Sequence, residues 1–233
     1  YPNGGRVPFT VQFTDVSVPG TTSITHWQWD FGDGNSSTEQ HPSHTYSSEG
    51  IYSVSLTVTT ACGTNTATKP DHLIGYTQDV VINEFLAANS TVFQDEDGAY
   101  SDWIELYNPN SLSVPMKDWA LTDDPVDPTK WKFPEILIPA ESYLLVFASD
   151  KNRKPLDGSP LHTNFKMGAG GEYLALFNTE TPRRPTSEFS PSFPPQTTDV
   201  TYGVPLGNDW YCSLLSPTPG AENDTSCFQT MAP

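Results

Sequence analysis

Two glutamates occupy matching places in two short apolar runs, Glu84 in Val80-Val-Ile-Asn-Glu-Phe-Leu and Glu105 in Asp102-Trp-Ile-Glu-Leu-Tyr-Asn. Two carboxylates facing one cleft can do general acid–base work, one giving a proton and the other taking it. The sequence supplies no nucleophile, oxyanion hole or substrate pocket around them. With Asn83 and Asn108 close by, the two acids are expected to satisfy backbone groups at sheet ends, and catalysis is not expected.

A second group of acids, Asp95, Asp97 and Asp102, has Glu96 beside it and Gly98 in the turn. Alternating carboxylates of this kind can converge on a hard cation such as Ca2+. The loop lacks the EF-hand ligand series and its terminal bidentate glutamate, so a solvated acidic loop is the competing expectation. Asp30 and Asp33 lie in a glycine turn, where they either ligate Ca2+ or accept backbone N–H groups. His26, His41, His44, His72 and His162 form no H-x-H or H-x-x-x-H pair. His44 and His162 are expected to be hydrogen-bonded near strand ends rather than bound to metal. Cys62, Cys212 and Cys227 show no C-x-x-C spacing, which argues against structural zinc. In an exported chain Cys212 with Cys227 would close a short loop. Cys62 is left over, buried as a small hydrophobe, paired with Cys212, or paired with another chain.

The elements that must position these groups are constrained by composition. The 233 residues carry 11 basic and 28 acidic side chains, a net charge of −17. That balance excludes a nucleic-acid binder, because the basic clusters amount to residues 151–154 and Arg183-Arg184. Hydrophobic residues make up 36% and aromatics 12%, so the core is expected to rest on a few large rings. Twenty-two prolines and 16 glycines spread between short apolar runs read as a turn-rich β protein. No stretch approaches the roughly 18 to 20 apolar residues of a membrane span. No basic-then-apolar leader opens the chain, and since Tyr1 is not a start methionine an upstream export signal stays open.

Over the first 76 residues apolar positions alternate with period two: Val7 to Phe13, Trp27-Gln-Trp29-Asp-Phe31, and Ile51 to Val58. These are strands with one buried face, separated by Gly-, Pro-, Asn- and Ser-rich turns. Trp29-Asp30-Phe31-Gly32-Asp33-Gly34, then His44-Thr45-Tyr46, Gly50-Ile51-Tyr52 and Leu56-Thr57-Val58 resemble the PKD domain over residues 3 to 75. The resemblance implies an immunoglobulin-like β-sandwich of extracellular proteins. Trp29 would fill the core, while Gly32 and Gly34 permit the turn. Family members usually begin with a further strand, for which Tyr1 to Asn3 leave little chain. An open strand edge of that kind can be completed by a neighbouring subunit.

Residues 70–79 are too short for a floppy linker, and a fresh set of strands follows. Ile82-Asn83-Glu84-Phe85, Asp102 to Asn108, Trp119 to Asp123, Lys130-Trp131-Lys132-Phe133-Pro134, Leu161-His162-Thr163-Asn164-Phe165 and Pro217-Thr-Pro-Gly220 together resemble the lamin tail domain of the bacterial branch, over residues 79–223. That implies a second immunoglobulin-like sandwich from a family not known as enzymes. Residues 179–198 read as an extended, polyproline-leaning loop, anchored by Phe189 and Phe193 or presenting them to a ligand. Sequons occur at Asn35, Asn89 and Asn223.

The expectation is an all-β chain of two tandem immunoglobulin-like sandwiches, 1–76 and 77–224, with a tail at 225–233. Its function would lie in surfaces: a non-catalytic extracellular structural or adhesion segment engaging a protein or polysaccharide surface, without membrane insertion or nucleic acid. Two alternatives stand beside it. One is a substrate-targeting module of a secreted hydrolase, which needs exposed rings such as Trp210, since Trp27, Trp119 and Trp131 are expected in the core. The other is a self-associating filament subunit completed by strand addition.

Overall fold

The computed structural model describes residues 3–227, and among these there is no helix. None is therefore long and apolar enough to cross a membrane. The chain divides into two units, Tyr1–Gln78 and Asp79–Pro233.

In the first unit, β1 (Asn3–Arg6), β3 (Ile24–Asp30), β4 (Ser36–Ser37), β6 (Gly50–Thr60) and β7 (Gly63–Tyr76) form a five-stranded sheet in the order β1-β7-β6-β3-β4. The other layer is the pair β2 (Phe9–Gln12) and β5 (Ser43–Tyr46). The period-two pattern sets the facing: Trp29 is buried while Gln28 and Asp30 on either side are exposed. Phe13, Trp29, Phe31, Tyr46, Tyr52, Val54 and Leu73 make the core. Each ring of this kind stabilises by about 1.5–3 kcal/mol when fully buried. Tyr46 is sealed and donates its hydroxyl to the Phe31 carbonyl at 3.0 Å, so its polar end is satisfied inside the core. Trp27 is only half-buried, because it sits near the sheet margin and gives its indole N–H to Asp15 at 2.7 Å. The expectation of a core Trp27 is corrected to that extent.

In the second unit a six-stranded sheet runs β15-β14-β9-β8-β18-β19. Its strands are β8 (Val81–Leu86), β9 (Asp102–Asn108), β14 (Ser142–Ala148), β15 (Leu161–His162), β18 (Thr201–Gly203) and β19 (Cys212–Leu214). A four-stranded sheet has the order β12-β11-β16-β17, from β11 (Ala120–Thr122), β12 (Trp131–Lys132), β16 (Leu174–Phe177) and β17 (Pro185–Phe189). The short pair β10 (Val114–Pro115) and β13 (Leu137–Ile138) stands apart. Trp103, Trp119 and Trp131 are all buried, as their strand motifs predict.

The Pro-rich stretch 179–198 is not a loop throughout, since its middle is β17, paired antiparallel with β16. Pro185 sits at the start of this edge strand, where a missing N–H costs no ladder bond. Phe189 and Phe193 are buried 5.1 and 5.0 Å from Phe85, so they anchor the segment. Cys212 and Cys227 form a disulfide. Cys62 is free and exposed in the connection between β6 and β7, so burial is not its state. Of the expected tail, residues 228–233 lie outside the described residues.

Gly32 has φ +80°, and a Cβ there would lie 2.4 Å from the Ser53 carbonyl oxygen. Gly34 has φ +88°, and a Cβ there would meet nothing within 4 Å. Gly32→Ala should therefore cost about 2–3 kcal/mol and Gly34→Ala about 1 kcal/mol, read from urea midpoints. Equal losses would show that φ alone, and not the close approach of Ser53, sets the requirement.

Candidate functional site

Strands β8 and β9 pair antiparallel with a register shift at Asn83, which brings Glu84 opposite Glu105 on one face. Both side chains are fully buried. Glu84 accepts from the Thr201 hydroxyl, and from the backbone N–H and hydroxyl of Thr218, the last two at 3.2 Å. Glu105 accepts from Asn83 Nδ2 at 2.9 Å and from the Gly220 N–H. The acids thus hold down the Pro-Thr-Pro-Gly turn at 217–220. Burial raises both carboxyls, Glu105 to about 7, with its Gly220 and Asn83 donors opposing and the Glu84 charge adding to the rise. Thr218 Oγ1 also lies 2.8 Å from Asn223 Oδ1, and one hydroxyl proton cannot serve two acceptors. The Thr218 hydroxyl is therefore shared between Glu84 and Asn223, while its backbone N–H serves Glu84 alone.

The acidic loop is closed by bases from a distant segment. Lys151 Nζ reaches Asp95 at 2.5 Å and Asp97 at 2.7 Å. Arg153 bridges Glu96 at 2.6 Å and Asp97 at 2.8 Å. The Nε2 of His162 is 2.9 Å from Glu96, its Nδ1 is 2.7 Å from Ser149 Oγ, and its ring stacks on Phe147. Asp95 also accepts from Ser101 and from the N–H groups of Asp97 and Ala99. Its burial would raise the carboxyl, yet Lys151 and these donors outweigh that and hold it well below the usual range. Asp102 sits apart, accepting from the Asn89 N–H, and burial lifts it to about 6.

In the first unit, Asp30 accepts the Gly32 N–H at 2.9 Å and Asp33 accepts the Asn35 N–H at 3.0 Å. Asp33 also meets His44 Nε2 at 2.7 Å, and the His44 ring stacks 4.1 Å from Phe31. Among the described residues, no group of three or more His, Cys, Asp and Glu is placed to hold a metal ion. Sequence reasoning misses Lys151 and Arg153 as partners of the loop. The one signal for them is complementary charge, a basic run at 151–154 and an acidic run at 95–97 in a chain short of base.

The first unit also contains a cavity of about 750 Å³, lined by residues 10–14 along β2 and by Trp29, Leu56, Ala67 and Lys69. Trp29 is nine-tenths buried, and its indole N–H has no acceptor. Trp210, by contrast, is 46% exposed.

Residues 2–74 match the PKD domain and residues 75–186 the Lamin Tail Domain. A microbial collagenase from Vibrio alginolyticus is 42% identical over 92 residues, 39% of this chain and 10% of that protein. Collagenases ColQ1 and ColA from Bacillus cereus are 45% and 40% identical over 58 residues, each 24% of this chain and 6% of the relative. The chain therefore spans a tenth or less of the length of these relatives.

The carboxylate pair has a pH signature. A carboxyl raised on folding favours the folded state fully below the unfolded value near 4.5, and that contribution is lost as pH rises to the folded value of about 7. Between pH 4.5 and 7 this group should remove on the order of 3 kcal/mol. Glu105→Gln should flatten that part of the profile in urea unfolding at stepped pH. An unchanged slope would place the titration elsewhere.

Proposed function

Because the chain is a PKD domain joined to a lamin tail domain, we propose that it is a non-catalytic recognition and structural segment of a larger extracellular protein, acting through its surfaces on protein or polysaccharide. The observation that carries this reading is the state of Glu84 and Glu105. This acid pair has no exposed surface; one oxygen of each acid is committed to the 217–220 turn and the other to Thr201 or Asn83. A substrate would have to lift that turn to reach them, and a latch of buried hydrogen bonds is what the arrangement does chemically. The acidic surface suits such a role, since a charge of −17 keeps a tandem of sandwiches soluble and apart from like-charged neighbours.

A second reading, targeting of a secreted hydrolase to its substrate, is favoured by the three relatives named above, each of them a collagenase. Under it the chain would hold a catalytic domain against fibrous protein. The rings point away from a flat polysaccharide platform, because Trp119 and Trp131 are buried and Trp210 is the exposed tryptophan.

The chain should show no turnover of collagen, gelatin, chitin or cellulose at any pH from 5 to 9. Hydrolysis that disappears in a folded Glu105→Gln variant would end the non-catalytic reading. Cosedimentation with insoluble collagen, and not with chitin, is the outcome expected of the targeting form. No retention on collagen at up to about 100 μM, on the scale of weak modular binding, removes that form and leaves the structural one.

A further inference from the structure

Residues 215–224 run between β19 and Cys227 with no strand pairing and lie over Glu84 and Glu105. Both ends of this stretch are fixed, one by the β18–β19 ladder and the other by the disulfide to Cys212. Its middle is held differently. No apolar side chain between 215 and 226 is buried, and Asn223 is the one buried residue there. Hydrophobic burial therefore contributes little to its docking. Among the described residues, the hydrogen bonds that tie 215–224 to the rest of the unit run from Thr218 to Glu84 and from Gly220 to Glu105. At its far end, Asn223 Nδ2 donates to the Val204 and Asn83 carbonyls and the Leu206 N–H donates to the Asp224 carbonyl. The two carboxylates carry the centre of the strap, so a change in their charge is a change in its attachment.

Glu84 and Glu105 stand opposite each other on neighbouring strands, both fully buried. One negative charge in this place is served by the neutral donors around it. Two charges repel each other across a single register position, and no cation contributes to the balance of either carboxyl. The other ionisable groups on the elements packed around the pair are Tyr107 of β9, Tyr143 of β14, Tyr202 of β18, Tyr211 ahead of β19, and Glu222 and Asp224 of the strap. None of them can bring a positive charge. Tyr143, pushed up to about 12 by burial and then by the charges of Tyr107, Glu222 and Glu105, stays neutral throughout the range in which the pair titrates. We propose that residues 215–224 form a proton-gated strap, docked while the pair keeps a proton and released, with both sheets intact, when both carboxyls ionise. Opening admits water to the carboxylates, so the open strap tolerates the second charge that the docked strap does not. The sign follows from burial, which raises both carboxyls in the docked state, Glu105 to about 7. Docking is strongest below the free value near 4.5 and weakens as pH rises to about 7. The ladder at one end and the disulfide at the other keep the released strap tethered, so it closes again on acidification. Opening bares two carboxylates without adding a nucleophile, and the non-catalytic reading is decided by turnover alone.

The test is amide hydrogen exchange on the whole oxidised chain, read by NMR at stepped pH from 5 to 8, with each rate divided by the chemical exchange rate at that pH. The reporters are the Thr218 and Gly220 amides, which donate to the two acids. Their protection should fall by about tenfold per pH unit up to pH 7 and then level off, the slope of one proton released on opening. Amides of the β8–β9 and β9–β14 ladders should keep their protection over the same range, and circular dichroism should not change. This measurement needs no variant, so a substitution that fails to fold does not decide the matter. Glu105→Gln keeps an acceptor and removes a titrating group, and Glu84→Gln does the same on the neighbouring strand. In whichever of them folds, the fall should be at least about tenfold smaller over the whole range. Glu222→Gln, on the exposed side of the strap, should leave the profile as it is. Protection of Thr218 and Gly220 that does not vary with pH overturns the proposal. So does a loss shared equally by the β9 amides, which would make the event global unfolding, and so does a profile flattened by Glu222→Gln but not by Glu105→Gln, which would place the trigger on the strap itself.

Discussion

A carboxylate removed from free water needs donors, and this chain has far more carboxylates than cations to supply them. The shortage is met by backbone. Asp15, Asp30, Asp33, Asp95, Asp124, Asp127 and Asp157 each accept the N–H of the residue two positions on. Aspartate in this role mimics a backbone turn and fixes the reversal between strands. Seven of the 28 acids thus serve as turn-formers, as a sheet protein with many short connections requires. Asp30 and Asp157 are exposed and Asp15, Asp33, Asp124 and Asp127 half-buried, so residues that shape the loops also contribute to the net charge that governs encounters with partners.

The few cations are spent where turn N–H groups do not suffice. Lys151, Arg153 and His162 gather on residues 95–97, the loop with a carboxylate buried in ion pairs. Removing Lys151 there would leave Asp95 buried without its charge partner, a worse state than never having built the pair. Glu84 and Glu105 receive no cation. They are deeply desolvated and matched by neutral donors alone, so their carboxyls rise, while Asp95, less deeply desolvated and paired with Lys151, falls.

The strands and their facing were legible because alternation is a local signal: Trp29, Phe31 and Tyr52 face the core as their spacing requires. The glycine turn at 32–34 and the Cys212–Cys227 loop were legible for the same reason, being set by residues close in sequence. Contacts that join distant segments were not. Glu84 could be seen as a strand acid, but no local pattern says that Thr218 will meet it, 134 residues on. Trp27 and Cys62 misled because a residue's place on a face does not say how far that face is covered. Pro185 misled because proline is compatible with a strand when its missing N–H falls on an edge.

The buried acids and the disulfide act on the same stretch of chain. Cys212 and Cys227, 15 residues apart, enclose the 217–220 turn that Glu84 and Glu105 hold. A crosslink of that span lowers the entropy of the unfolded chain by about 3 kcal/mol in the chain-entropy account. Two prolines at 217 and 219 restrict the turn further before it docks. The ordering cost that the carboxylates must overcome is thus small, and neutral hydrogen bonds worth about 1 kcal/mol each can hold the turn in place against the desolvation of two acids. The last strand, β19, begins at Cys212, so the covalent bond, the turn and the sheet edge are one continuous device that closes the second unit.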